Sequence, residues 1–581
     1  MNKNQSQSSI LKRIFKELAP YGGKIVLSIV CALATVYFTL QVPILTGKAV
    51  DCIVGPEQVD MVSLQGFLEQ MAVVIVITSI AQWIMNRLNN HITYQVTREL
   101  RDRAFARLQH MQLSEIDSHP HGDYVSRIVS DADTFADGLL MGFTQFFTGV
   151  LTILGTIIFM VQISFRIALV VIILTPASLW LAKFISGRTY KYFKKQAGLR
   201  GTETSFIEEI IVNENIVQNM DYGNTAMEKF KVMNAELSDA AMRATFYSSI
   251  VNPSTRLINN LIYAIVGVYG AILAIGGAIS VGGLTSFLSY ASTYAKPFNE
   301  ISGVITEFQN AIACAGRLFE MIDAVQEPDQ GQENINQAQG RIEFKNVCFS
   351  YDKSKKLIED LNLTVEPGQK VAIVGPTGAG KSTIINLLMR FYDIDAGQIL
   401  IDGKDIRDIS LENLRSNFGM VLQETWLKEA SIRDNLTMAC PNASDQEIIE
   451  AAKATHAHSF IKRMPQGYDT ILSSEKGSLS QGQMQLLCIT RVMLNIPPML
   501  ILDEATSSID TRTEQKIQAA FNKMMQGRTT FVVAHRLSTI KEADVILFIK
   551  DGKIVEQGNH RSLLQKDGFY AKLYQSQFKE N

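Results

Sequence analysis

The chain has 581 residues, which predicts several domains at roughly 150 residues per domain. Its 55 basic and 57 acidic residues give a formal net charge of −2, which excludes a nucleic-acid-binding protein that works through bulk positive charge. Charged residues make up only 19% of the chain, against about 25% in soluble domains, and the apolar excess lies before about residue 315. The six cysteines share no metal-ligand spacing, so we expect isolated thiols.

The first 24 residues predict a basic amphipathic helix. Residues 10–18, ILKRIFKEL, place apolar side chains at helical spacing between lysine and arginine. A helix of this kind lies in the membrane surface. An ordinary surface helix is the alternative.

The amino-terminal half predicts a membrane domain, over residues 25–322. Six segments approach or exceed the roughly 20 apolar residues that a helix needs to cross a bilayer. They are residues 25–46, 64–85, 139–161, 167–185, 257–279 and 284–314. A soluble helical core could imitate one such segment but hardly six, so we predict six membrane-spanning helices.

The distribution of lysine and arginine predicts the orientation of these spans. Cations are dense in the amino-terminal arm and in the connections after the second and fourth spans, whereas residues 51–63 carry acids and no cation. Arg166, on a short outer turn, is the one discordant residue. We therefore expect both termini on the cytoplasmic side.

The two inner connections are long and keep a helical pattern. We expect the spans to continue into the cytoplasm as helices and to reverse near residues 119–123 and near 213–215 or 221–223. Two small irregular loops are the alternative, which their length disfavours.

Residues 328–340, PDQGQENINQAQG, are nearly free of apolar side chains and mark a domain boundary within a linker over 323–340. Residues 341–581 then alternate short β-branched runs with helical patterns, which predicts an α/β domain with a largely parallel sheet. Strands are predicted at 341–349, 371–374, 420–422, 499–502, 530–534 and 545–550. Helices are predicted at 382–391, 445–454, 481–494 and 513–525.

A phosphate-binding loop follows the strand at 371–374 and precedes a helix. Residues 375–383, GPTGAGKST, match G-x-x-x-x-G-K-[ST]. Glycines let backbone N–H groups converge on phosphate oxygens, and the helix start adds positive partial charge. The predicted nucleotide-binding residues of this loop are Gly375, Thr377, Gly378, Ala379, Gly380, Lys381, Ser382 and Thr383. Lys381 reaches the β- and γ-phosphates and Ser382 ligates Mg²⁺, whereas a chance glycine-rich turn is the alternative.

Two acids end the apolar strand at 499–502. Asp503 suits the Mg²⁺ side of a nucleotide site, and Glu504 suits a general base that polarises the attacking water. Two acids at a strand end are weak on their own. Together with the phosphate loop they predict an ATP-hydrolysing site.

The order of the motifs resembles that of an ATP-binding-cassette (ABC) ATPase. The phosphate loop is followed by Gln423, by residues 479–483 (LSQGQ), by Asp503 and Glu504, and by His535. With six spans in front of one cassette, the whole chain resembles an ABC exporter half-transporter of the multidrug and lipid type. The fold that this implies is a membrane α-helical bundle, extending into the cytoplasm, fused to an α/β P-loop ATPase domain.

The resemblance implies further roles. Tyr351 would stack on adenine, Gln423 would meet Mg²⁺ and the membrane helices, and His535 would contact the γ-phosphate and position the water. Asp510 would lie in a loop that crosses a dimer interface. Strand packing, a surface amide and a strand-end histidine are the respective alternatives for the first three.

The segment Ser480, Gln481, Gly482 and Gln483 opens a helix, so its donors could bind a phosphate. By family resemblance it binds the nucleotide of an opposing cassette, so a working unit needs two cassettes and this chain must dimerise.

This segment departs from the family pattern. The family has Leu-Ser-Gly-Gly-Gln, whereas this chain has Gln481 at the third position and Leu486 where an arginine is common. A side chain can obstruct the close backbone approach that glycine permits. An altered signature beside an intact Glu504 resembles one partner of a heterodimeric bacterial exporter. In such a pair the other chain carries the standard signature but lacks the catalytic glutamate, so one site is hydrolytic and one is degenerate. A homodimer that tolerates Gln481 is the alternative.

The mechanism that the resemblance implies is alternating access driven by ATP and Mg²⁺. The two inner reversals match the coupling helices of the family. Polar residues within the predicted spans are candidates to line a cavity: Gln41, Gln145, Arg256, Asn259, Asn260, Glu300 and Glu307. Amphipathic drugs, lipids and peptides are all compatible cargoes. A nucleotide-gated channel or regulatory membrane ATPase, and a soluble cassette acting on nucleic acid, are the competing classes.

Overall fold

The computed structural model describes residues 7–55, 58–327, 329, 331–376, 378–422, 425–473, 479–503, 509–533 and 537–578. The chain divides into two compact units. The first comprises Met1–Gln109 and Pro120–Ala324, and the second comprises His110–His119 and Val325–Asn581.

The first half of the chain is helical. Its helices are α1 (Gln7–Leu18), α2 (Gly22–Asp51), α3 (Met61–Gln109), α4 (Leu113–Asp117), α5 (His121–Ser126), α6 (Ala132–Met141), α7 (Phe147–Ile163), α8 (Phe165–Val212), α9 (Glu214–Asn219), α10 (Gly223–Ile275) and α11 (Val281–Ile322). A 3₁₀ turn, Ala19–Tyr21, joins α1 to α2, and π-helical turns lie at Arg127–Asp131 and Gly142–Phe146. The two short strands β1 (Ile53–Gly55) and β2 (Gln58–Val59) pair between α2 and α3.

Helical stretches cover the six predicted spans, except for residues 276–279 at the end of the fifth, which lie beyond α10. By length and composition, four helical stretches of the described residues could cross a membrane: Ser8–Asp51, Met61–Gln109, His121–Ile163 and Gly223–Ile275. The other two predicted spans lie in α8 and α11, which run for 48 and 42 residues. In α8 the apolar helix at the start is shorter, Phe165–Thr175.

The spans continue beyond their apolar stretches, as predicted. The third helix runs on to Gln109, α8 runs on to Val212, and α10 begins at Gly223. Only short segments interrupt these helices, so the alternative of two irregular loops is wrong. The predicted reversal at 119–123 lies at the junction of α4 and α5. The two alternatives for the second reversal, 213–215 and 221–223, lie at the start of α9 and between α9 and α10.

The amphipathic helix α1 packs against α11. Ile10, Ile14 and Leu18 are buried, while Phe15 on another face is 69% exposed. The guanidinium of Arg13 lies 4.2 Å from the centre of the Phe319 ring. One apolar face of α1 is therefore buried against protein, whereas Phe15 on another face is exposed.

The second unit contains two sheets. Its strands are β3 (Ile342–Phe349), β4 (Ile358–Val365), β5 (Lys370–Val374), β6 (Ala396–Ile401), β7 (Lys404–Asp405), β8 (Phe418–Val421), β9 (Met499–Asp503), β10 (Thr529–Val533), β11 (Val545–Lys550) and β12 (Lys553–Gly558). Its helices after α11 are α12 (Lys381–Leu388), α13 (Leu411–Ser416), α14 (Ile432–Leu436), α15 (Asp445–Ala454), α16 (His458–Ile461), α17 (Gln481–Leu494), α18 (Thr511–Met525), α19 (Leu537–Lys541), α20 (His560–Gln565) and α21 (Phe569–Phe578).

The larger sheet has the order β12-β11-β5-β10-β9-β8. Every pairing within it is parallel except that of β11 with the edge strand β12. All five residues of β10 and four of the five in β5 are buried, as expected for strands covered on both faces. The predicted parallel α/β fold is therefore confirmed.

The smaller sheet was not predicted. It is antiparallel, in the order β4-β3-β6-β7. Only its strand β3 corresponds to a predicted element. Its inner face packs with β5 and α12 in one hydrophobic core, so it braces the strand and the helix that flank the phosphate loop.

Candidate nucleotide-binding site

The phosphate loop lies at the carboxyl end of β5, near the centre of the parallel sheet, and leads into α12. A Cβ atom at Gly375 would lie 2.2 Å from the carbonyl oxygen of Ile549, so only glycine fits against β11 there. Gly380 caps α12 with φ of 100°, in the left-handed region. These two glycines allow the tight turn by which the chain passes from β5 into α12.

The side chain of Lys381 folds back over this loop. Its Nζ atom donates hydrogen bonds to the carbonyl oxygens of Gly375 at 2.8 Å and Pro376 at 2.9 Å. Burial lowers the pKa of Lys381, and the nearby carboxylate of Asp503 partly opposes that shift. The ammonium is therefore held against the backbone of the phosphate loop, and its pKa depends on nearby negative charge.

The first turn of α12 carries the hydroxyl groups that the motif supplies. Ser382 is exposed and Thr383 is buried. The first backbone N–H groups of a helix have no partner within it, and the helix dipole adds positive partial charge there. This helix start can bind a phosphate.

Asp503 lies beside the phosphate loop because of the strand register. Val533 of β10 pairs with Asp503 of β9 on one side and with Ile373 of β5 on the other. The carboxyl ends of the three strands therefore meet at one edge of the sheet.

The hydroxyl of Ser382 and the carboxylate of Asp503 suit Mg²⁺. They are hard oxygen ligands, and Mg²⁺ in nucleotide sites takes one or two protein ligands together with phosphate oxygens and water. Among the described residues, no group of three His, Cys, Asp or Glu side chains could hold a metal by itself. The donor set therefore fits a metal ion that arrives with a nucleotide.

Tyr351 lies in an aromatic cluster next to α12. It is 50% exposed, and its ring meets those of Phe349 and Tyr392 edge to face, at 4.8 Å and 4.9 Å between centroids. Asn386 of α12 donates a hydrogen bond of 3.1 Å to its hydroxyl. Tyr351 is therefore held at the helix that carries the phosphate loop, with half of its surface open to a flat ligand.

Helix α4 belongs to the second unit and contacts this aromatic cluster. The hydroxyl of Tyr392 donates a hydrogen bond to the carboxylate of Asp117 at the end of α4. The backbone N–H of Glu327 donates to the carbonyl of His110 at 2.9 Å, just before α4. Burial and the bond to Asp117 both raise the pKa of Tyr392, so its hydroxyl stays protonated. The aromatic cluster is thus bonded to α4, which directly precedes the first inner reversal.

The altered signature segment begins α17. Ser480 Oγ accepts a hydrogen bond from the backbone N–H of Gln483 at 3.3 Å, and Gln483 Oε1 accepts one from the N–H of Ser480 at 2.9 Å. A Cβ at Gly482 would lie 2.6 Å from Thr513, so this glycine is needed for packing against α18. Gln481 is exposed at the open end of the helix.

Asp510 is the N-cap of α18. Its carboxylate accepts a hydrogen bond of 2.9 Å from the backbone N–H of Thr513, which lowers the pKa of Asp510. Leu486, at the position where the family commonly has arginine, is buried in the core.

Four of the predicted site residues lie outside the described residues: Thr377, Gln423, Glu504 and His535. The described neighbours place the strands that lead to two of them. The strands β9 and β10 end at Asp503 and Val533 on the same edge of the sheet as the phosphate loop.

Sequence reasoning missed Tyr392, Asn386 and Asp117. Tyr392 and Asp117 are 275 residues apart in the chain, and no spacing pattern connects them. Asn386 could have been suggested by its position on the exposed side of the helix that follows the phosphate loop.

Comparison with known families matches both halves of the chain. Residues 25–298 match the model of the ABC transporter transmembrane region, and residues 358–507 match that of the ABC transporter.

Individual relatives extend over nearly the whole chain. A fatty acid ABC transporter ATP-binding/permease protein of Mycobacterium bovis is 37% identical over 90% of this chain and 83% of its own length. An ATP-dependent lipid A-core flippase of Syntrophus aciditrophicus is 32% identical over 100% of this chain and 96% of its own. The solved structure of a bacterial Atm1-family ABC exporter with ATP bound is 29% identical, with a TM-score of 0.77, over 97% of this chain and 98% of that one.

Proposed function

The chain belongs to the ABC transporters, as an ATP-hydrolysing exporter of the lipid and multidrug type in the cytoplasmic membrane, and from that membership we propose that it is one half of a heterodimer that exports amphipathic small molecules. The observation that carries the ATP-dependent part of this proposal is the arrangement of Lys381, Asp503 and the start of α12 at one edge of the parallel sheet. It supplies a phosphate-binding loop with a cation whose charge interacts with a carboxylate at the same edge.

Each residue of the nucleotide site then has its own role in hydrolysis. The ammonium of Lys381 and the first N–H groups of α12 hold the phosphates, and Tyr351 stacks on the adenine. Mg²⁺, held by Ser382 and Asp503 with Gln423, would neutralise charge on the phosphate oxygens. Glu504 accepts the proton of the attacking water, which His535 orients.

A second cassette completes each site. We assign Ser480, Gln481, Gly482 and Gln483 to the nucleotide of the partner, because they open α17 with exposed groups and lie outside this chain's own phosphate loop. Asp510, exposed at the start of α18, lies on the face that meets the partner.

Unequal sites follow from Gln481. Its side chain stands at the exposed end of α17, where glycine would let a partner's nucleotide approach the backbone. The site that uses this segment is then the weaker one. The site that pairs Lys381 and Glu504 with a partner's standard signature is the hydrolytic one.

Transport follows by alternating access. Two ATP molecules bind between the cassettes and close them. The inner reversals around α4 and α9 pass this closure to the spans, so the cavity opens outward, and hydrolysis resets it. The bond from Tyr392 to Asp117 supports this role for α4.

Glu504→Gln tests the assignment of the general base. The amide cannot accept the proton, so we expect the turnover number to fall by about 10²–10⁴-fold while ATP still binds. Steady-state ATPase rates and equilibrium ATP binding measure both parts. Hydrolysis at the wild-type rate would refute the role of Glu504.

Purification of the chain alone tests the heterodimer. We expect weak ATPase activity that rises when a companion half-transporter is co-purified and reconstituted in vesicles. Robust ATPase activity, stimulated by amphipathic compounds in the absence of a second polypeptide, would favour the homodimer instead. ATP-dependent ion conductance without accumulation of any compound would favour a channel.

A further inference from the structure

We propose that a cavity between α8, α10 and α11 binds the anionic headgroup of an amphiphile, and that Arg256 and Lys296 provide its positive charge. This inference rests on the proposed export function and names the class of substrate that it would carry.

The cavity has a volume of about 350 Å³. Its polar lining includes Thr255, Arg256, Asn259, Asn260, Ser292 and Lys296. Val171 and Ile262 are among its apolar neighbours. Among the described residues that line it, two are cations and none is a carboxylate, so this described lining carries a net positive charge.

Both cations lie towards the cytoplasmic side of the bilayer, Arg256 at the edge of the hydrocarbon core and Lys296 within it. Arg256 is about 28 Å along α10 from the outer end at Ile275, and Lys296 is about 22 Å along α11 from the outer end at Val281, at 1.5 Å per residue. The hydrocarbon core is about 30 Å thick. The two side chains therefore lie in its cytoplasmic half, where an exported molecule would be loaded.

Neither cation has a hydrogen-bond or ion-pair partner in the part of the chain that the structure describes. An unpaired charge at membrane depth is costly, and such residues mark substrate or ion pathways. A bound carboxylate or phosphate would offset that cost through charge-assisted hydrogen bonds.

The side chain of Asn259 indicates a second property of the ligand. Its Oδ1 atom is buried and has no hydrogen-bond partner within the described chain. Such an acceptor fits a ligand that donates a hydrogen bond, for instance a hydroxyl group next to the anionic centre.

A second cavity in the same unit provides the contrast. It has a volume of about 580 Å³ and is lined by amides and hydroxyls without any charged residue among those described. Gln145 belongs to it. We therefore expect the charged headgroup to bind at Arg256 and Lys296 and not in the cavity that contains Gln145.

The test is equilibrium binding of radiolabelled dodecyl phosphate to the full transporter in phosphatidylcholine nanodiscs, with empty nanodiscs subtracted. We expect saturable binding that dodecyl phosphate and laurate compete for, while dodecyltrimethylammonium and dodecyl maltoside do not. Comparing the first two competitors distinguishes a phosphate from a carboxylate headgroup. Equal competition by all four compounds would overturn the proposal.

Variants locate the site. Arg256→Gln and Lys296→Gln should each weaken binding about tenfold, as loss of a charge-assisted hydrogen bond does, and Arg256→Lys should retain most of the affinity. Arg166→Gln, which removes a cation from the outer end of α8, is the control and should bind as the wild type does.

Wild-type affinity in both cation variants would overturn the site even if Glu504→Gln had supported ATP-driven export. If the variants fail to fold, the competition by headgroup charge in the wild type still decides.

Discussion

Lys381 combines two properties that a phosphate-binding cation needs. Its ammonium is held by the carbonyls of Gly375 and Pro376, so its position is set before a nucleotide arrives. Burial lowers its pKa, which makes the charge easier to lose at alkaline pH than that of an exposed lysine.

This lowered pKa predicts a pH dependence of ATP binding. The charged form of Lys381 binds phosphate, so ATP binding should raise its pKa and take up a proton once the pH exceeds the pKa of the free protein. We therefore expect the Kd for ATP to increase as the pH rises towards the ordinary lysine value of about 10.4. Titration of ATP binding over this range measures the slope.

Lys381→Gln is the matched control for that slope. It should bind ATP more weakly at every pH and lose the part of the pH dependence that belongs to the ammonium. A slope equal to that of the wild type would assign the titration to another group.

In the proposed heterodimer, the inequality of the two sites depends on Gln481. Replacing it by glycine removes the side chain at the exposed end of α17, so we expect Gln481→Gly to raise the affinity for ATP at the site that uses this segment, as equilibrium ATP binding measures. Gln481→Ala, which also removes the amide but keeps the helix propensity, should show part of the increase. Unchanged or lower ATP affinity in both variants would mean that Gln481 does not weaken its site.

Helix α4 contacts the aromatic cluster of the nucleotide site and leads into the first inner reversal. Tyr392→Phe removes the hydroxyl that bonds to Asp117 and keeps the ring that packs against Tyr351. We expect a loss of stability of about 1 kcal/mol, unchanged ATP affinity, and a reduced stimulation of ATPase by transported compounds. The ratio of stimulated to basal ATPase in vesicles measures the coupling.

A variant with the same stability loss elsewhere serves as control for Tyr392→Phe. Thr455→Val removes a buried hydroxyl that bonds to Thr490, far from α4 in the chain. It should keep the stimulation ratio of the wild type. Equal ratios in the wild type and Tyr392→Phe would remove this bond from the coupling route.

Elements with a strong local signal were predictable from the sequence. Helices α15 and α17 start and end at the predicted residues, since Ser444 and Ser480 form capping boxes that fix their first turns. The strand β11 also matches, because its apolar run is continuous.

The antiparallel sheet was missed although part of its signal was present. In β4 the buried residues largely alternate with exposed ones, which is the pattern of a half-buried strand. The partners of β4 and β6 are set by pairing with β3, at separations that no local pattern specifies. The contact of Tyr392 with Asp117 and the cavity at Lys296 likewise depend on elements brought together from distant parts of the chain.

At the scale of the whole molecule, the proposed function assigns this chain one half of each of two different sites. Its phosphate loop lies at the carboxyl edge of the parallel sheet, and its signature segment opens α17 with exposed groups. If each ATP is bound by the phosphate loop of one chain and the signature segment of another, ATP binding stabilises the pair of chains, and pairing strengthens ATP binding.

The most direct test is native mass spectrometry of the Glu504→Gln transporter at saturating ATP and Mg²⁺, released from nanodiscs. The composite site predicts that nucleotide is retained by pairs of chains, this chain with a companion or with a second copy, and that a pair holds two ATP molecules. Lys381→Ala in the same background should lower both nucleotide retention and pairing. A species with one chain that retains ATP, with no increase in pairs when ATP is added, would contradict the account.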